Sequence, residues 1–164
     1  VANMSDKRQE SLRRLQDKKR IDIAKIPVDN ALILGENGAS KKVVVFTDPD
    51  CPFCGQLHQT MKQIVAKRKD VSFYIKFFPL NFHKDAYWKS KSIVCNKSMK
   101  MLEDNFEKKE ILKTECATEE IDSSMKLAAS FGITGTPALI LPDGRLREGA
   151  IPEVELTDLI DGKK

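Results

Sequence analysis

The chain reads as an α/β domain, one sheet carrying a helical insertion. Three observations predict this. Residues 41–48, KKVVVFTD, form a short, continuous, β-branched run of the kind found in strands covered on both faces. Residues 52–69 follow with Leu57, Met61, Ile64 and Val65 at helical spacing, and 71–78, VSFYIKFF, form a second strand-like run. Strand, helix and strand within about 35 residues make a βαβ unit, so the two strands are expected to be parallel.

The other elements follow in order. Residues 5–25 are highly charged helix formers, with Ser5 as the expected N-cap. Leu12, Leu15, Lys19 and Ile23 give a thin apolar stripe, so the expectation is a linker helix over 1–28, stopped by Pro27. ALIL (31–34) is a short strand candidate and GENGAS (35–40) is turn chemistry. Lys67, Arg68 and Lys69 complement the dipole at the end of the 52–69 helix. From about His83 to Gly132 the pattern is charged and helical, with Cys95 and Cys116 inside it. Residues 134–149, TGTPALILPDGRLREG, read as a hairpin turning at Asp143-Gly144. Pro152 opens a last helix whose expected apolar face is Val154, Leu156, Leu159 and Ile160.

With 164 residues, 41% hydrophobic and 32% charged, the chain suits one soluble domain with a real core. No apolar run approaches the roughly 18 residues of a membrane helix. The net charge of +4 is spread among acids, which argues against nucleic acid as a partner. Four cysteines permit two disulfides and an oxidising compartment.

The chemistry centres on FTDPDCPFC, residues 46–54. Cys51 falls at a strand-to-helix join, with Pro52 suited to the first helical position. A helix N-terminus stabilises an anion, so an accessible Cys51 thiolate is expected, with a lowered pKa. Cys54 lies nearly one turn on and faces inward, placed to attack a mixed disulfide formed at Cys51. Zinc would need two more ligands, and Cys95, Cys116, His58 and His83 form no second motif. A structural 51–54 disulfide would constrain little of the unfolded chain. The redox reading is preferred over both, and the dithiol itself would carry the electrons, so no cofactor or metal is expected. His58 is read as a polar helix residue, with a proton-shuttle role as its alternative. A Cys95–Cys116 bond would close a loop of about 20 residues, worth roughly 3 kcal/mol in the chain-entropy model, and a structural staple is the preferred reading. In TGTPAL, an X-Pro bond at Thr136–Pro137 is the kind that is sometimes cis. A cis bond there would turn the Thr136 backbone toward an extended substrate strand.

Two stretches, FTDPDCPFCGQLHQTM and FGITGTPALILPDGRLREGAIPEVEL, resemble the catalytic domain of the periplasmic disulfide isomerases of the DsbC/DsbG family. The resemblance runs from about Asp29 to Gly162. It implies a thioredoxin-like fold with a helical insertion, and a catalytic domain over 29–164. It implies that Cys51 is the nucleophile, Cys54 the resolving thiol, and Thr136 and Pro137 a cis-proline loop that contacts substrate. Phe53, between the cysteines, joins that substrate surface. Cys95 and Cys116 match a second, structural disulfide of the DsbC branch. Pro52-Phe53 departs from the Gly-Tyr of DsbC toward the Pro-Tyr of DsbG, which leaves potential and preference open.

The expected function is thiol–disulfide exchange on protein disulfides, as isomerase or reductase. The alternatives are a monomeric oxidant or general reductant, and a non-catalytic thioredoxin-like chaperone module. Expected partners are misfolded or disulfide-bonded proteins and a membrane thiol reductase of the DsbD type. The family's N-terminal dimerisation domain has no counterpart in these residues, so a monomer or weak dimer is expected. The resemblance also implies a periplasmic location, with any secretion signal absent from this chain.

Overall fold

The computed structural model describes residues 4–163; residues 1–3 of the expected 1–28 linker, and Lys164, lie outside the described residues. In chain order the elements are α1 (Met4–Lys18), β1 (Leu32–Gly35), β2 (Lys41–Thr47), α2 (Pro52–Lys67), β3 (Val71–Phe77), α3 (Ala86–Asn96), α4 (Met99–Phe106), α5 (Glu120–Ser130), β4 (Ala138–Ile140), β5 (Leu146–Glu148) and α6 (Glu153–Ile160). The five strands form one sheet in the order β1-β3-β2-β4-β5. β2 and β3 pair in parallel, from Lys41 opposite Val71 to Thr47 opposite Phe77, as the βαβ reading requires. The other pairings, including the β4–β5 hairpin, are antiparallel.

Strand alternation sends side chains to two covered faces. Val43, Val45, Phe73 and Ile75 share one core with Leu57, Met61 and Ile64 of α2 and Leu156 and Leu159 of α6. Val44, Phe46, Tyr74 and Ile140 point the other way, into a second core with Ala128 of α5, Ile133 and Ile26. Burial on both sides is why β2 and β3 read as unbroken apolar runs. Ser72 and Lys76 are the polar exceptions inside β3, and Lys76 is only 3% exposed. Its ammonium donates to Glu120 and to the Pro27 carbonyl, each at 2.8 Å, so the buried charge is both paired and hydrogen-bonded.

The N-terminal segment differs from the single helix expected over 5–25. Ser5 lies within α1 instead of capping it, and the helix stops at Lys18. Beyond it the chain is tied to the hairpin. Arg147 of β5 donates to both carboxylate oxygens of Asp17, at 2.6 and 3.1 Å, and the Ile21 N–H donates to the Gly144 carbonyl at 3.0 Å. Gly144 has φ +90°, and a Cβ there would run into the Ile21 backbone, so the turn needs glycine on two counts. A single 3-10 turn, Ile23–Lys25, follows, capped by Asp22. The first strand begins at Leu32, one residue later than ALIL suggests, and ends at Gly35.

The insertion is less helical than its composition suggests. Residues 107–119 are irregular between α4 and α5. Lys97 and Lys108 adopt left-handed backbone where α3 and α4 end, a job sequence reading assigns to glycine or asparagine. A disulfide joins Cys95, in the last turn of α3, to Cys116 in the irregular segment, with Cα atoms 6.0 Å apart. α6 buries Leu156, Leu159 and Ile160, but Val154 is 75% exposed, against expectation. It sits two positions from Leu156, about 200° around the helix from the buried stripe.

Replacing both Cys95 and Cys116 by serine is expected to cost about 3 kcal/mol, since the bond closes a loop of about 20 residues. Urea unfolding of the double variant checks this. An unchanged midpoint would show that the irregular segment is held by its other contacts.

Candidate active site

The parallel pair β2–β3 ends at Thr47 and Phe77, and α2 starts five residues beyond Thr47. Cys51 is the N-cap of α2, in extended conformation (φ −90°, ψ 120°), with Pro52 in the first turn, where a missing N–H costs nothing. Cys54 lies one turn in and is 2% exposed; its sulfur accepts the Asp48 N–H at 3.4 Å. Both thiols are free. The sequence placed Cys51 in the open, but only 6% of the residue is exposed. Its Sγ lies 3.8 Å from the Thr136 carbonyl oxygen, so the 134–137 loop covers it.

The two sulfurs differ in acidity. Cys51 is lowered from 9.0 to about 6. The leading cause is a hydrogen bond from the Cys54 thiol; burial opposes it, and the backbone N–H groups of Cys54 and Phe53 at the helix start add to it. Cys54 goes the other way, pushed far up by burial and then by its bond to Cys51. The Thr136 hydroxyl is buried without a full hydrogen bond and lies beside both sulfurs, lowering each.

Thr136 and Pro137, some 85 residues from Cys51, are brought directly against it, and their peptide bond is cis. Pro137 is buried, whereas Phe53 is 62% exposed. Phe53, Gln56, Thr136, Pro137, Gly149 and Ala150 line a groove of about 320 Å³ on that side of the cysteines. A larger groove of about 950 Å³ opens on the other side, between Cys51, Pro52 and Gln59 and the insertion's Trp88, Asn105 and Phe106. The insertion is fastened there: Asn105 donates to the Pro49 carbonyl, and Lys89 pairs with Asp50 at 2.7 Å. Cys95 and Cys116 sit away from the pair, bonded to each other.

Sequence reading missed Asp48. Its side chain is fully buried, yet each oxygen is satisfied. Oδ1 accepts the Asp50 N–H, and Oδ2 accepts from the Leu80 N–H and His83 Nδ1, each at 2.8 Å. Its backbone carbonyl accepts the Cys51 N–H at 3.1 Å. One residue thus pins the turn before α2 to the loop after β3. The signal was in the sequence: an Asp two residues before a backbone donor in a tight turn is an Asx-turn.

The two histidines are separated. His83 serves Asp48. His58, read from sequence as a polar helix residue, is 2% exposed, with Nε2 2.9 Å from Glu103 of α4. Among the described residues, no three His, Cys, Asp or Glu side chains are grouped to hold a metal ion.

Residues 28–163 match the model of the thioredoxin-like domain family. The chain belongs to that family. Among curated relatives, the thiol:disulfide interchange protein DsbC of Escherichia coli (strain K12) is 31% identical over 120 residues, covering 73% of this chain and 50% of that protein. The chain spans about half the length of the curated relatives it matches. A disulfide interchange protein from Neisseria gonorrhoeae superposes with a TM-score of 0.70 at 28% identity, covering 84% of this chain and 98% of that one. A periplasmic thioredoxin-like protein from Salmonella enterica serovar Typhimurium shares the fold, with a TM-score of 0.69 at 22% identity. Within this thioredoxin-like frame, the Cys51–Cys54 pair at the start of α2 is the arrangement that thiol–disulfide exchange requires.

Alkylation of the reduced protein by iodoacetamide is expected to modify Cys51 and spare Cys54. The rate should follow the Cys51 thiolate: half-maximal near pH 6, level above about pH 7, and falling tenfold per unit below pH 6. Cys54→Ala should move the midpoint upward, because it removes the leading hydrogen bond. A wild-type midpoint near 9 would contradict the assigned geometry.

Proposed function

We propose that the chain is a thiol–disulfide oxidoreductase acting on disulfides in proteins, as an isomerase and reductase. The observation that carries this reading is the placement of Cys51. It caps α2 at the rim of the larger groove, against the Thr136 carbonyl, with Cys54 buried beneath it. In the first step the Cys51 thiolate attacks one sulfur of a substrate disulfide. A Cys51–substrate bond forms, the substrate disulfide breaks, and one substrate sulfur leaves as a thiolate. A second substrate thiol can then attack the mixed disulfide, which re-pairs the substrate and returns Cys51. Alternatively, Cys54 attacks Cys51, which leaves the pair oxidised and the substrate reduced. No other electron carrier is needed, since the dithiol supplies both electrons.

Thr136, Pro137 and Phe53 are the proposed substrate contacts. Thr136 stands within reach of Cys51, and the exposed Phe53 ring offers apolar surface beside it. A stabilised Cys51 thiolate favours the reduced pair over the disulfide, as isomerisation requires, and disfavours a general reductant. A reduced pair must be replenished, so a membrane thiol reductase of the DsbD type is the proposed partner. The Cys95–Cys116 bond suits an oxidising compartment, and the periplasm is the proposed location.

Reduced and then incubated with a scrambled disulfide protein, the Cys54→Ala variant is expected to accumulate mixed disulfides visible on non-reducing gels. Cys51→Ala should form none and should lose reactivation of the scrambled substrate. Equal trapping by both variants would overturn the roles, and reactivation surviving Cys51→Ala would favour the chaperone alternative.

A further inference from the structure

The attack of Cys54 on a mixed disulfide poses a problem that the pair alone does not solve. Cys54 is buried and its thiol strongly resists ionisation, yet only the thiolate attacks. Once Cys51 is tied to substrate, it is no longer a thiolate able to take the proton. A base must stand near Cys54 inside the protein.

Among the described residues, His58 is a candidate with a route outward. His58 and Cys54 line the same small cavity, together with Thr47, Leu57 and Met61, and its volume is about 10 Å³, room for one water at most. The imidazole is 2% exposed and lies under the Phe106 ring, with centroids 5.4 Å apart. Its Nε2 lies 2.9 Å from a Glu103 carboxylate oxygen. Lys62 reaches the same oxygen at 3.2 Å, and both Lys62 and Glu103 are partly exposed, at 45% and 27% of their side chains. A chain of polar groups therefore runs from the Cys54 cavity through His58 and Glu103 to the surface.

The chemistry of that chain is directional. A carboxylate accepts, so the imidazole must present its proton at Nε2, which leaves Nδ1 as an unprotonated acceptor. Burial lowers the His58 pKa, while Glu103 opposes that shift, so the ring is neutral and available at neutral pH. Burial alone would raise Glu103, but the hydrogen bonds from His58 and Lys62 hold it below the ordinary value, as a carboxylate. The titratable groups facing His58 are Cys54 and Lys62 on its own helix and Glu103 on α4; β2 and β3 present only Val45, Thr47 and Ile75 to the cavity.

We propose that His58 takes the proton from Cys54 during resolution, with Glu103 fixing its tautomer and stabilising the imidazolium. The step balances. The Cys54 proton passes to Nδ1, directly or through one water, and the Cys54 thiolate attacks Cys51 Sγ. The Cys51–Cys54 bond forms, the Cys51–substrate bond breaks, and the substrate leaves as a thiolate that takes a proton from solvent. The pair loses two electrons and the substrate disulfide gains them. In the reverse direction, imidazolium returns the proton to Cys54 as reductant opens the disulfide. Glu103 acts through His58 and is a positioning residue.

This inference rests on the thiol-exchange reading, and one experiment separates the two. Reduced protein is mixed with Ellman's reagent and absorbance at 412 nm is followed by stopped flow. The first thionitrobenzoate is released by Cys51 attack, which reads the exchange function. The second is released by Cys54 attack, which reads the relay. His58→Gln should leave the first phase unchanged and slow the second about 100-fold, the usual scale for a lost general base. Its second phase should then climb with pH past 8, whereas the wild-type phase is already level at neutral pH. Glu103→Gln, a partly exposed substitution that spares the core, should slow the second phase about 10-fold with the same upward shift in pH profile. If His58→Gln does not fold, Glu103→Gln decides alone. A second phase with unchanged rate and profile in the folded variants overturns the relay. Loss of the first phase in the wild type overturns the exchange reading instead.

Discussion

The site depends on one juxtaposition, Cys51 capping the start of α2 with the buried Cys54 thiol one turn behind it. It is the leading cause of the Cys51 shift to about 6. The same juxtaposition, added to burial, drives Cys54 in the opposite direction. Two identical side chains three residues apart thus differ in acidity, one lowered and one raised. The helix sets this up: one residue caps it, the other lies a turn inside, and the N-terminal N–H groups favour charge on the first alone.

The rest of the fold holds that helix end in place. β2 and β3 bring the strand ends together, and the Asp48 carboxylate, which accepts the Asp50 N–H within its own turn, ties the turn before α2 to the loop after β3 through two further hydrogen bonds. A buried carboxylate left unpaired would be strongly destabilising, so these donors are a structural requirement as well as a clamp. The β4–β5 hairpin delivers Thr136 from the far end of the chain, and α4 delivers Asn105 and Glu103. One element of the insertion therefore touches both the approach to Cys51 and the depth behind Cys54.

Much of this was legible in the sequence because it rests on local pattern. The β-branched 41–48 run, the helical spacing of Leu57, Met61 and Ile64, and the Asp143-Gly144 turn each specify their own element. Cys51 at a strand-to-helix join, with Pro52 after it, is a local signal too. What the sequence hid depends on contacts between distant segments. Nothing near His58 announces Glu103, 45 residues away. The cover over Cys51 comes from Thr136, so its burial could not be read from its neighbours. α1 ends at Lys18 although charged helix formers continue past it, and Arg147 holds Asp17 there from 130 residues away. The left-handed ends at Lys97 and Lys108 carry no glycine to mark them, which is why the insertion reads as more helical than it is.

The central claim is that the reduced pair holds a thiolate at Cys51 at neutral pH. The redox equilibrium of Cys51–Cys54 with glutathione, measured from pH 5 to 8.5, tests it as a thermodynamic quantity. Below about pH 6 the reduced pair and two glutathione thiols carry the same number of protons, so the ratio of oxidised to reduced protein at fixed glutathione is level. Above it the reduced pair has lost one proton while glutathione, an ordinary thiol with a pKa of about 8.5 or above, has not. The account predicts that the ratio falls about tenfold per pH unit from pH 6 toward 8.5, as the thiolate stabilises the reduced form. A ratio that stays level to pH 8.5 would mean that no such thiolate exists, and would contradict the account.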